Sequence, residues 1–159
     1  MGPEIIERQV GTNRVLVFRD RGIDHVLGWQ SPDDVQRLTQ MGERVAADPR
    51  FEGHERDANI LWTITRAYRS DQGVAIIDDR VILAIVNAHL APYHHRAKVI
   101  DSTNLSVAFH RLRDWGYVDW DRHYPTDQSR VTNVYSLLWV GHDIIRGGQR
   151  ISRARNKKS

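Results

Sequence analysis

The hydrophobic pattern between Asp101 and Val140 changes from a helical period to an alternating one, and the rest of the chain is organised around this stretch. Three apolar side chains recur at helical spacing: Leu105, Phe109 and Leu112. Asp101 and Ser102 can cap the start of this helix by accepting bonds from its free N–H groups. Gly116 can supply the left-handed residue that ends it. We therefore predict a helix that closes just before Gly116.

Two strands joined by a polar loop are predicted to follow this helix. Residues 117–120 and 133–140 predict antiparallel strands, and residues 121–130 (DRHYPTDQSR) predict the loop between them. The run RLRDWGYV that closes the helix, followed by strand, basic-polar loop and strand, resembles the recognition helix and wing of winged helix-turn-helix DNA-binding proteins. The resemblance covers residues from about 55 to 142. It implies a domain that binds double-stranded DNA. The helix predicted between Asp101 and Gly116 would be the third helix of this domain and would read the major groove.

The segment before this helix predicts a helix, a short strand and a second helix. The first helix is predicted from about Arg56 to Tyr68, with four residues facing inward: Ile60, Leu61, Ile64 and Tyr68. A strand at residues 73–77 follows, and Asp78 or Asp79 is predicted to cap a buried helix, VILAIVNAHL. A hairpin over residues 74–86 is the alternative, since this segment is rich in β-branched residues. We favour the helix because of the resemblance.

The connection between the second and third helices is long for a helix-turn-helix. Eleven residues separate Leu90 from Ser102, where such a turn has about three or four. Either the second helix continues further, or the turn holds an inserted loop.

The N-terminal residues predict a small antiparallel meander followed by a helix. Strands are predicted at residues 5–10, 14–19 and 25–30, the second alternating between apolar and polar positions as a half-buried strand does. Ser31 and Pro32 predict the start of the helix, and its inward stripe consists of Val35, Leu38, Met41 and Val45. Asp48 and Pro49 predict its end. Because so small a sheet needs burial, we expect this unit to form a homodimer or to bind a protein partner.

These elements predict an α+β chain with three parts. An N-terminal βββα unit occupies residues 1–50, a winged helix-turn-helix domain residues 55–143, and a basic, disordered tail residues 144–159. Of the 23 Lys and Arg residues, six lie in the tail, which holds no acid, so residues 1–143 carry 17 bases against 20 acids, a net charge of −3. The basic balance of the chain therefore comes from its tail.

Composition narrows the class of protein. Zero Cys excludes disulfides, thiolate zinc sites and Cys nucleophiles. The sequence has no run of eighteen apolar residues and no signal peptide, so we expect a cytoplasmic protein that does not contact a membrane. The leading functional expectation is sequence-specific DNA binding, as a transcriptional regulator or as a replication, partition or mobile-element accessory factor.

The candidate DNA contacts fall in four places. On the third helix they are Ser102, Thr103, Asn104, Ser106, Val107, His110, Arg111 and Arg113, and in the wing they are Arg122, His123, Tyr124 and Arg130. Before the helix they are His94, His95, Arg96 and Lys98, and in the tail they are Arg150, Arg153, Arg155, Lys157 and Lys158. Arg can bond guanine, Ser and Thr reach bases or phosphates, and Val can touch a thymine methyl. Any solvated helix face carries similar residues, and Asp114, Asp121 and Asp127 oppose binding to phosphate.

Two other functional classes stay open. A winged-helix module that docks proteins fits the net charge of the body, and a neutral or acidic surface on the third helix would favour it. A small metal-dependent nuclease would require acids such as Asp78, Asp79 and Asp101 to converge. His89, His94 and His95 lack the spacing that places two imidazoles on one helix face. No phosphate-binding loop, nucleophile elbow or dinucleotide motif occurs, so we expect no cofactor, metal or catalytic residue.

Overall fold

A computed structural model describes residues 3–90, 100–123 and 132–137. In chain order, the elements of these residues are β1 (Glu4–Val10), β2 (Asn13–Asp20), β3 (Ile23–Gln30), α1 (Pro32–Ala47), α2 (Glu55–Arg66), β4 (Tyr68–Arg69), β5 (Val74–Asp78), α3 (Asp79–Leu90), α4 (Ser102–Asp114), β6 (Val118–His123) and β7 (Thr132–Leu137). A single 3₁₀ turn at Pro49–Phe51 lies between α1 and α2. The predicted α+β class is confirmed. None of the helices in these three ranges has both the length and the apolar character of a membrane span.

The seven strands form one mixed sheet in the order β1-β2-β3-β4-β5-β7-β6. Strands β3 and β4 pair in parallel at Trp29 and Arg69, and the other pairings among the described strands are antiparallel. One hydrophobic cluster extends from Leu16 and Phe18 in β2 to Tyr135 and Leu137 in β7. The sheet and the core thus include elements on both sides of residues 50–55, where a boundary between two units was predicted.

The local signals place most elements correctly. Ser31 caps α1, its hydroxyl oxygen accepting a bond from the N–H of Asp34, and Pro32 is the first helical residue. The segment after Asp79 is helical, so the hairpin alternative is wrong. Helix α2, which was predicted to continue to about Tyr68, ends at Arg66, because Tyr68 leaves the helix to pair with Ala75 as part of β4. Strand β6 continues to His123, so the first three residues of the predicted loop belong to the sheet.

Strand β2 is buried on both faces, which corrects the expectation of a half-buried strand. Four consecutive residues are buried: Val15, Leu16, Val17 and Phe18. Leu16 and Phe18 belong to the main core. Val15 lies on the opposite face, between its register partners Arg8 and Trp29. A central strand of a twisted meander is covered there by the side chains of its two neighbours, which the alternation along one strand does not reveal.

The junction between β3 and the end of α2 holds the two halves of the sheet together. A Cβ atom at Gly28 would overlap the carbonyl oxygen of Arg66 and come within 3.0 Å of that of Tyr68. Gln30 is fully buried, and its amide donates to the carbonyl of Thr65 at 2.8 Å. The N–H of Ser70 donates to the carbonyl of Trp29 at 2.8 Å. The backbone of β3 therefore approaches α2 and β4 as closely as a residue without a side chain allows.

We expect Gly28→Ala to lower the free energy of unfolding by about 1–3 kcal/mol or more, because the added methyl group meets backbone atoms that cannot rotate away. Gly42→Ala is the matched control. Position 42 lies in the exposed middle of α1 with open space around its Cβ, so alanine should raise stability by about 0.5–1 kcal/mol. Urea unfolding followed by circular dichroism measures both changes. The packing of this junction would be contradicted if Gly28→Ala lowered the free energy of unfolding no more than Gly42→Ala does.

Candidate nucleic-acid interface

The start of α4 is fixed by a capping box and by a clamp from α3. The Asp101 carboxylate accepts from the N–H of Asn104 at 2.9 Å, and the Asn104 side-chain oxygen accepts from the N–H of Asp101 at 3.1 Å. Asn87 in α3 bonds both backbone groups of Ile100, at 2.8 Å to its N–H and 3.2 Å to its carbonyl. Ile100 itself is buried. These bonds fix the residue at which α4 begins. Residues 91–99, which connect α3 to this point, lie outside the described residues.

The end of α4 is fixed by a turn that delivers the chain to β6. Gly116 has a φ of 84°, as predicted for the residue that ends the helix. The N–H of Tyr117 donates back to the carbonyl of Leu112 at 2.9 Å, and the N–H of Gly116 to that of Arg113 at 3.0 Å. These bonds satisfy two carbonyls that the end of a helix otherwise leaves open.

A charged cluster ties this end of α4 to the end of α1. The Tyr117 hydroxyl donates to the Asp48 carboxylate at 2.7 Å, and the Arg50 guanidinium bonds the same carboxylate at 2.7–3.2 Å. The Arg50 bonds hold the pKa of Asp48 well below its ordinary range, and the bond from Tyr117 acts in the same direction. Burial raises the pKa of Tyr117 to about 12, and its bond to Asp48 adds to the shift. Arg50 also donates to the carbonyl of Trp115 at 3.3 Å.

The outer face of α4 carries six of the predicted DNA contacts. All six are exposed: Ser102, Thr103, Asn104, Ser106, Val107 and His110. The inner face is buried, as predicted, by Leu105, Phe109 and Leu112, with Ala108 beside them. Asn104 differs from the other five in that its side chain already serves the capping box. The remaining five form a surface of hydroxyls, one imidazole and Val107, whose exposure is 46%.

Arg111 is engaged in a fork-like ion pair with α2. Its Nε donates to Asp57 Oδ2 at 2.6 Å and its Nη2 to Asp57 Oδ1 at 3.2 Å. Asp57 is only 2% exposed, and the Nδ1 atom of His54 lies 3.6 Å from the same carboxylate. Hydrogen bonding to Asp57 raises the pKa of Arg111. Removing Arg111 would leave a buried carboxylate without its main partner, which typically costs about 3–5 kcal/mol. Arg111 therefore stabilises the helix pair, whatever else it contacts.

Arg113 is held against the first strand of the hairpin. Its Cζ lies 4.3 Å from the centroid of the Trp120 ring, and its Nη1 is 3.7 Å from Asp119 Oδ1. Its Nη2 is also 3.2 Å from His110 Nδ1. Both cations of α4 are thus engaged by groups within the protein. Together with Asp101 and Asp114 they leave the α4 segment with equal numbers of positive and negative side chains.

The other predicted contacts divide into two sets. Arg122 and His123 lie in β6, in register with Asn133 and Thr132 of β7. The remaining predicted contacts lie outside the described residues: His94, His95, Arg96, Lys98, Tyr124, Arg130, Arg150, Arg153, Arg155, Lys157 and Lys158.

The acids suspected of metal chemistry have structural partners. Asp79 accepts a bond from the buried Asn133 amide at 2.6 Å, Asp78 accepts from the N–H of Arg80 at 2.8 Å, and Asp101 caps α4. His89 stacks on Trp62, with ring centroids 6.2 Å apart. Across the described ranges, no three His, Cys, Asp or Glu side chains are grouped so that they could hold a metal ion.

Asp57 and Asn87 are the residues near this face that the sequence did not indicate. Asp57 lies 54 positions before Arg111, and Asn87 lies 13 positions before Ile100. Both positions look like ordinary polar residues of an amphipathic helix. Only the packing of α2 and α3 against α4 brings them to their partners.

We expect Asp48→Asn to reduce the loss of stability in acid. Because the native pKa of Asp48 lies below its unfolded value of about 3.9, the folded state binds fewer protons, so its contribution is complete above about pH 5 and is lost as the pH falls further. The urea midpoint of the natural chain should therefore fall more between pH 5 and about pH 2.5 than that of the variant. Asp71→Asn, at an exposed turn, is the control and should follow the natural chain. Parallel acid profiles for all three proteins would contradict the role of the cluster.

Comparisons of the chain with protein-family models, with curated proteins and with solved structures found no match. The function therefore has to be argued from the residues that the fold brings to the surface. The best-defined surface of this kind is the outer face of α4, with both of its helix ends fixed.

Proposed function

We propose that residues from about 55 to 142 form a winged helix-turn-helix domain that binds double-stranded DNA through α4. The order of elements supports this: a helix, a short strand and a helix precede α4, and two antiparallel strands follow it. Strand β7 lies between β5 and β6, so that the hairpin after α4 joins the strand that precedes α3. The loop of that hairpin is the proposed wing, and it lies outside the described residues.

The observation that carries the proposal is the contrast between the two faces of α4. The inner face is fully buried, whereas the outer face exposes small polar residues, Thr103 and Ser106, beside Val107 and His110. A helix in the major groove can use hydroxyls to bond bases or phosphates and a methyl group to contact thymine, and small side chains leave its backbone free to approach the base edges. The caps and the Asn87 clamp hold this face in one orientation.

Contacts to the phosphate backbone are assigned to the flanking segments. Since Arg111 and Arg113 are engaged with Asp57 and with Trp120 and Asp119, they position α4 more than they neutralise phosphates. The proposed phosphate contacts are the predicted residues of the connection before α4, the wing and the tail. This arrangement would give an affinity that falls steeply with salt.

The test is binding to random-sequence duplex DNA as a function of salt, followed by fluorescence anisotropy. We expect Ser106→Asp with Val107→Asp to weaken binding about tenfold or more, because both positions are exposed and the added charges would face phosphates. Gln36→Asp with Gln40→Asp, on the exposed face of α1, adds the same charge elsewhere and should change affinity about twofold at most. The affinity of a chain that ends at Gly147 shows how much of the DNA binding comes from the tail.

Substitution of Arg111 is a poor test, since it breaks the buried pair with Asp57 and confuses folding with binding. If binding survives both aspartates on α4 and disappears with the tail, the helix is not the reading surface.

Docking of a protein partner by α4 is the second candidate. The balance of charge on the α4 segment favours it, because a surface that attracts DNA by itself would have unpaired cations. The same variants distinguish the two candidates. A body that binds no DNA at low salt without its tail would favour docking.

We also propose that the N-terminal unit forms a homodimer. Three large apolar side chains of the meander are more than half exposed: Val10, Ile23 and Val26, at 54%, 59% and 55%. Strand β1 is an edge of the sheet and is available for pairing. Sedimentation equilibrium at a protein concentration on the order of tens of micromolar should show a dimer, which Val26→Lys should weaken. A monomer throughout that range would contradict the proposal.

A further inference from the structure

A cleft on the side of the molecule formed by α1 and α2 has a volume of about 560 Å³ and is lined by apolar and polar side chains in equal numbers. Leu38 and Met41 of α1 form one wall, and Leu61 and Trp62 of α2 form another. The volume lies within the range of about 300–1,000 Å³ that is typical of small-molecule sites. Trp62 is 39% exposed although it is large and apolar, and it stacks on His89 at the rim. None of the described residues proposed to contact DNA lines this cleft.

Arg66 lies in the wall of the cleft and forms no ion pair with a described residue. The Arg66 side chain is half-buried, and its Cζ is 4.7 Å from the centroid of the Trp62 ring. Within the described part of the chain, no carboxylate forms an ion pair with its guanidinium, and no acceptor forms a hydrogen bond with it. Burial and then the charge of Arg14 lower the pKa of Arg66 against a smaller opposing effect of the Glu7 carboxylate, so the folded protein holds this cation at a cost.

The second cation of the cleft is fixed in place. Arg14 donates from Nε and Nη2 to the Gln30 side-chain oxygen, at 2.9 and 2.7 Å. Its Nη1 lies 3.5 Å from Glu7 Oε1, a carboxylate that is 59% exposed. Gln30 is itself fully buried at the junction of the two halves of the sheet. Arg14 thus contributes positive potential beside Arg66 and has little freedom to turn away.

The neutral polar groups of the cleft are oriented towards their own helices. The hydroxyl of Thr39 donates to the carbonyl of Val35 at 2.9 Å, that of Thr65 to the carbonyl of Trp62 at 2.6 Å, and the amide of Asn59 to the carbonyl of Glu55 at 2.9 Å. With these donors occupied, Arg66 offers charged hydrogen-bond donors that no described acceptor uses. A charged donor above an apolar, partly aromatic wall matches a ligand with a carboxylate or phosphate at one end and a flat apolar body at the other.

We propose that this cleft binds a small organic anion, with Arg66 bonding its carboxylate or phosphate and Trp62 packing against its apolar body. A free guanidinium makes charge-assisted bonds to such groups and stacks on flat rings, which an ammonium does less well. The proposal does not depend on DNA binding, because the cleft shares no residue with the outer face of α4.

Isothermal titration calorimetry of the full chain with phenyl phosphate and with benzoate tests the proposal. Inorganic phosphate supplies the charge without the ring, and benzyl alcohol supplies the ring without the charge. We expect one or both aromatic anions to bind with a Kd of about 1 mM or lower, and each of the two partial probes to bind about tenfold more weakly.

Arg66→Met should weaken binding of the aromatic anion about tenfold or more, since it removes the charged donors but keeps the apolar stem. Arg80→Met removes one exposed cation that does not line the cleft, and it should change the Kd about twofold at most. The melting temperature of Arg66→Met without ligand should equal or exceed that of the natural chain, because a half-buried cation beside Arg14 is gone. If Arg66 had a purely structural role, the melting temperature of the variant would be lower than that of the natural chain.

Trp62→Leu provides a second variant. It should weaken the binding of phenyl phosphate more than the binding of inorganic phosphate.

Besides a lower melting temperature of Arg66→Met, three results of the binding experiments would overturn the proposal. The first is the absence of saturable binding of either aromatic anion below about 10 mM. The second is a Kd for Arg66→Met within about twofold of that of the natural chain. The third is equal affinity for inorganic phosphate and phenyl phosphate, since the apolar walls would then take no part.

Discussion

The close approach of β3 to the end of α2 is the constraint on which the rest of the structure depends. At Gly28 the strand lies against the carbonyls of Arg66 and Tyr68, and Gln30 completes the contact by a bond to Thr65. A meander of three strands and a hairpin with one added strand are each too small to bury much apolar surface alone. Joined by β4, they share one sheet and one core. The same junction positions Arg14, because Gln30 accepts its two hydrogen bonds.

Local structure could be predicted from the sequence, because its causes lie within a few residues. Ser31 before Pro32, Asp101 before the apolar stripe of α4, and Gly116 after that stripe each form the cap or turn that their chemistry favours. The class of fold followed from the order of these elements. No comparable local signal exists for the pairing of β3 with β4, whose paired residues Trp29 and Arg69 are 40 positions apart.

Features that the local pattern does not show have the same origin. Tyr68 has helical spacing from Ile64, but pairing with Ala75 in the sheet outweighs one further helical turn. Arg111 was grouped with the residues available to DNA because its position on the helix is lateral, and the buried carboxylate that holds it belongs to another helix. Charge counted along a sequence treats every Arg as free. In the folded chain both cations of α4 have a carboxylate partner, whereas Arg66, which no motif singled out, lies over the Trp62 ring and has no carboxylate partner among the described residues.

Helix α2 contacts both α4 and the cleft. Asp57, in its first turn, holds α4 through Arg111, and Arg66, its last residue, forms part of the wall of the cleft. The 12 residues of this helix span about 18 Å, and its middle is anchored in the core by Ile60, Leu61 and Ile64. A helix of this length moves as a rigid rod on the scale of small displacements. A shift of α2 along its axis would therefore move the carboxylate that holds α4 and change the shape of the cleft at the same time.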